Sequence, residues 1–166
     1  MLEIIAFCCG ALVMVLEMVG ARVLAPHVGT SAVVWTSLIG VVLACLAVGA
    51  WLGGRLADRH LSRRGLAFIL TGASLGSALA AGTHRLVGEA LSVAITDIHL
   101  AAVACALGIL ALPALCCGMI SPYIIRLRIR DVATSGATVG RLYALSTAGS
   151  IVGTFLGGFV LISFFA

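Results

Sequence analysis

Long apolar runs separated by short polar breaks fill the chain from end to end. About 20 uncharged residues in a helix, at 1.5 Å each, cross a hydrocarbon core of roughly 30 Å, and a helix pairs its own backbone groups where lipid offers no partner. Five runs are predicted to span. The first covers Leu2 to about Val23, interrupted by Glu3, Glu17 and Arg22; the second, Ser31 to Gly54, carries no charge. The third covers Leu66 to Thr83, the fourth Leu100 to Ile125, and the fifth Leu142 to the end. Ala25-Pro26-His27-Val28-Gly29 reads as a tight connection and Leu86 to Ile95 as a short interfacial helix. Pro113 and Pro122 each remove a helical hydrogen bond, which predicts a kink or break near Ser121-Pro122. The expected fold is all-α, a polytopic bundle of about five transmembrane spans forming a single domain over 1–166.

Composition agrees with that pattern. Of 166 residues 62% are apolar and 10% charged, with a mean hydropathy of +1.24, whereas a soluble domain carries about 25% charged residues. The net charge of +4 comes from ten arginines and no lysine, set between apolar runs. Such spacing fits membrane topology signals and not a nucleic-acid-binding face. The six cysteines all fall inside apolar stretches without metal-ligand spacing, and read as small packing residues. Glu3 in place of a basic leader and Glu17 beyond it argue against a cleaved signal peptide.

Arginine asymmetry sets the expected orientation. Arg55, Arg59, Arg63 and Arg64 lie between runs two and three, and Arg126, Arg128, Arg130 and Arg141 between runs four and five; the other connections hold only Arg22 and Arg85. The positive-inside rule then puts the N-terminus in the cytoplasm. Trp35, Trp51, Tyr123 and Tyr143, near run ends, are expected at headgroup level.

Lipid supplies no hydrophobic drive between helices, so small residues that admit close backbone approach mark contact faces. Gly149, Gly153 and Gly157 form such a face on the fifth run, and Gly49/Gly53 and Gly72/Gly76 repeat the device on the second and third. These faces pack within the chain, or one of them, on the fifth run, docks a second copy.

Glu17 is the first candidate for chemistry, because a carboxylate inside a membrane helix requires a partner, a proton or a wet cavity. Glu3, Gly10 and Glu17 recur every seven residues on one helix face. Glu17 with Arg22 is therefore the candidate ion- or substrate-binding set; the plainer reading pairs Glu17 with Arg22 or Arg85. The second candidate is a cytoplasmic charge cluster of Asp58, Arg59, Arg126 and Arg128, where Asp58 caps a helix or pairs with Arg126 or Arg128 and so holds a gate. His27, His60, His84 and His99 are scattered, and no nucleophile–base set, metal site or phosphate loop is legible. No enzyme, cofactor or metal is expected.

Four ordered motifs resemble the membrane region of spermidine synthase-like integral membrane proteins. They are Glu17-x-x-x-x-Arg22-Val-Leu-Ala-Pro26-x-x-Gly29, Trp35-Thr36-Ser37-x-Ile39-Gly40, Gly53-Gly54-Arg55-Leu56-Ala57-Asp58, and Gly140-Arg141-Leu142-Tyr143-Ala144-Leu145-Ser146-Thr147-x-Gly149-Ser150. That family is described as a major-facilitator-like membrane region fused to an aminopropyltransferase domain; the synthase domain has no counterpart here. Asp58 and its arginines also resemble the major-facilitator cytoplasmic loop motif, with Leu61 where that motif wants glycine. The resemblance implies half of a major-facilitator-type bundle in a bacterial inner membrane. It implies a transporter-like module, working as a homodimer or with a partner subunit, for a cationic solute such as a polyamine. The alternative is a non-transporting anchor or accessory subunit of a separate synthase-like enzyme or other membrane complex.

Overall fold

The computed structural model describes residues 1–129 and 135–165. Arg130, one of the loop arginines counted above, lies outside them. Five long helices follow one another: α1 (Leu2–Val28), α2 (Ala32–Arg59), α3 (Arg63–Ala94), α4 (Ile98–Arg128) and α5 (Ser135–Phe155). A π-helical segment, Leu156–Leu161, and the four-residue α6, Ile162–Phe165, extend α5. All five spans are long and apolar enough to cross a membrane, and no strand occurs among the described residues.

Each of α1 to α4 is longer than its apolar run, and α5 begins ahead of its own. Pro26 lies within α1, so the expected connection at 25–29 is helical up to Val28, and the turn is made by Gly29 at φ 81°, a left-handed conformation that favours glycine. The expected interfacial helix Leu86 to Ile95 is the last third of α3, which at 32 residues is about 48 Å long. Helix α4 runs unbroken through Pro113 and Pro122, so there is no break at Ser121-Pro122. The reason is shared: where lipid offers no hydrogen bonds, losing one bond at a proline costs less than leaving the helix altogether. Gly76 of α3 makes room for the Pro113 backbone, so α3 packs against α4 where the proline ring sits.

Capping fixes the two polar turns. Ser62 begins α3 by accepting from the Gly65 N–H at 2.9 Å. Asp97 begins α4, accepting from His99 N–H at 2.9 Å and Leu100 N–H at 3.0 Å. The Leu100 bond, with that from His99, holds its carboxyl below the usual carboxylate range.

Helix α4 is the centre, half buried along its span and packed on α1, α2 and α3. Two parallel pairs, α2/α4 and α1/α5, are built on glycine contacts made from both sides. Gly49 meets the Leu115 carbonyl while Gly118 meets that of Leu46; Gly149 meets the Phe7 carbonyl while Gly10 meets that of Ser146. Gly153 rests on Ala11, and Gly157 on Val15 and Met18. The glycine face of α5 is therefore filled by α1 of the same chain, and is not open to a second copy. Contact between α4 and α5 is slight, which leaves a groove between them floored by α1.

Candidate functional site

Three features carry polar chemistry, beginning with the end of the bundle where α1 and α3 start and α2 and α4 finish. There Asp58 Oδ1 accepts from Arg126 Nε at 3.2 Å, tying α2 to α4. Glu3 bridges two other helices, with Arg141 Nε of α5 at 3.4 Å and Arg128 Nη2 of α4 at 3.8 Å. The expected cluster is thus split: Asp58 and Arg126 meet, Arg128 belongs to Glu3, and Arg59 forms no ion pair among the described residues. Glu3 and Arg141 are members the sequence reading missed. All these groups are largely exposed, apart from the one-third-exposed Glu3, so each pair contributes at most about 1 kcal/mol and acts by orienting helix ends.

Tyr123 is the buried polar anchor of the same end. Its ring is fully enclosed by the bundle and passes over Gly65. Its hydroxyl accepts from Ser62 N–H at 3.0 Å and shares its one proton between the carbonyls of His60 at 2.8 Å and Ser62 at 3.0 Å. The α2–α3 turn is thereby tied to α4. Trp51, by contrast, is exposed, with the Arg55 guanidinium 4.2 Å over its ring.

The second feature is the groove between α4 and α5, which holds a cavity of about 310 Å³. Ala6, Gly10 and Val13 of α1 line its floor, and Ser121, Ser146 and Thr147 bring hydroxyls to its walls. Part of that polarity is already engaged: Ser150 Oγ lies 3.2 Å from Gly10 O and 3.1 Å from Ser146 O, and Thr147 donates to Tyr143 O at 3.0 Å. Glu17 continues the same row of α1, between Val13 and the buried Gly20 and Leu24. It is half-buried, one turn beyond Val13, with no hydrogen bond or ion pair among the described residues. The expected partners Arg22 and Arg85 do not reach it.

Those two arginines instead line the third feature, a cleft of about 930 Å³ at the opposite end of the bundle, together with His27, His84 and Glu89. The His27 ring is seated on Gly88, where a side chain would overlap it. Among the described residues no three histidine, cysteine or acidic side chains converge as a metal site would require. No family model, curated protein or solved structure matches this chain.

Proposed function

We propose that the chain is a transporter-like membrane module for a cationic solute, in a bacterial inner membrane with its N-terminus in the cytoplasm. The observation that supports it is Glu17, a half-buried carboxylate without a partner among the described residues, one turn along α1 from Val13, which lines the hydroxyl-bearing cavity. Carboxylates in spanning segments mark ion and substrate pathways because their charge requires compensation. The resemblance of four motifs to the spermidine synthase-like membrane region favours a polyamine, and five helices amount to roughly half of a two-part transporter bundle. A second copy or a partner subunit supplies the other half and covers the groove. The ion pairs of Asp58, Arg126, Arg128 and Glu3 would hold one end closed.

Reconstituted vesicles containing wild type or Glu17→Gln, offered labelled spermidine, test this reading. The amide is nearly isosteric, so thermal stability should change by less than about 1 kcal/mol, while spermidine binding and uptake should be lost. Binding retained by Glu17→Gln overturns it. The second reading, a non-transporting anchor, is favoured by the hydroxyls of Thr147 and Ser150 already engaged with backbone. It requires that wild type take up no spermidine and instead co-purify with a membrane partner.

Orientation is tested separately, in a background freed of native cysteines, at two exposed turn positions, Leu61 and Thr96. In intact cells Thr96→Cys should react with an impermeant maleimide and Leu61→Cys should not. The reverse pattern inverts the topology.

A further inference from the structure

The cleft at the end opposite the ion pairs has a composition that a cation pathway does not explain. Arg22 and His27 reach it from α1, and His84, Arg85 and Glu89 from α3. Leu161 and Ile162, where the π-helical segment gives way to α6, form an apolar wall with Val19 and Val23. Neither guanidinium has an ion pair or hydrogen bond among the described residues, and Glu89 does not pair with either. His84 Nδ1 donates to the Ala81 carbonyl at 2.9 Å, so in the neutral ring Nε2 is an acceptor and the two arginines carry the attraction for an anion. Two fixed positive charges face one negative, so the cleft favours an anion.

Its depth narrows the choice. Helix α3, about 48 Å long, exceeds a hydrocarbon core of roughly 30 Å. With its start at the opposite end, the stretch bearing His84 to Glu89 falls at the polar interface. Guanidinium forks match the oxygens of a phosphate, and an apolar wall beside them suits the upper part of an acyl chain. We propose that this cleft binds a phosphate group, held by Arg22 and Arg85 and weakened by Glu89, whether carried on a lipid headgroup or free in solution. This does not rest on the assignment of Glu17.

The test uses the full chain in phosphatidylcholine nanodiscs, with either phosphatidylglycerol mixed into the bilayer or inorganic phosphate added to the buffer. Melting temperature and lipid retained in native mass spectrometry are the readouts. A shift with phosphatidylglycerol alone assigns the site to lipid; a shift with inorganic phosphate assigns it to a soluble ligand. In either arm Arg22→Gln and Arg85→Gln should each weaken binding by roughly fivefold, and Glu89→Gln should strengthen it. The gain at Glu89 is a result that damage to the fold cannot imitate. The proposal is overturned if neither probe shifts wild type, if both arginine variants bind as wild type does, or if Glu89→Gln fails to tighten binding.

Discussion

Gly149→Val is expected to detach α5 from α1 and to lower stability by about 3 kcal/mol, the upper part of the range for overpacking. A side chain at Gly149 would meet the Phe7 backbone carbonyl. A flexible side chain could turn aside, but a helical carbonyl moves only with its helix. Because α5 touches α4 only slightly, α1 is its main attachment, and little else would hold it in place. Gly140→Val is the control, since that position on the same helix has open space around it. Thermal unfolding in mild detergent should show a large drop for Gly149→Val and almost none for Gly140→Val. Equal drops would mean that helix propensity, and not the close α1–α5 approach, set the result.

Tyr123→Phe should cost about 1–2 kcal/mol although it removes a single oxygen. The hydroxyl serves Ser62 N–H and the carbonyls of His60 and Ser62, and a ring without it leaves those groups short of a partner beside a buried apolar surface. Loosening should be local first, so amide exchange at 60–65 should rise before the bundle as a whole melts. Tyr143→Phe, at an exposed ring whose hydroxyl makes no hydrogen bond among the described residues, should change neither measurement. If the two variants behave alike, Tyr123 is no anchor.

The five spans were legible because charge-free length is a direct consequence of bilayer thickness. Their ends were not, and the errors share a cause. Hydropathy reports which residues tolerate lipid, whereas a helix continues for as long as its backbone has no better partner, so α1 includes Pro26 and α3 includes His84, Arg85 and Glu89. The Asp58–Arg126 pair was visible as opposite charges at two helix ends on one side. Glu3 was harder: its partners Arg128 and Arg141 lie more than a hundred residues away, and nothing local distinguishes it from a surface charge near a terminus. Arg22 and Arg85 looked like minor counts in separate connections; only the approach of α1 to α3 through His27 and Gly88 places them in one cleft. The glycine motifs announced close packing, but four-residue spacing does not say which backbone will fill it.

The pairing of α1 with α5 sets an order of assembly. A membrane chain is delivered helix by helix, and helices associate after each is inserted. The antiparallel neighbours α3 and α4 can meet as soon as α4 arrives, and α2 then finds the Gly118 face of α4. For α1, the row through Phe7, Ala11 and Val15 has no glycine surface to receive it until α5 is made. Among these five helices α1 is thus the earliest made and yet waits longest for its packing, because its glycine partner is α5.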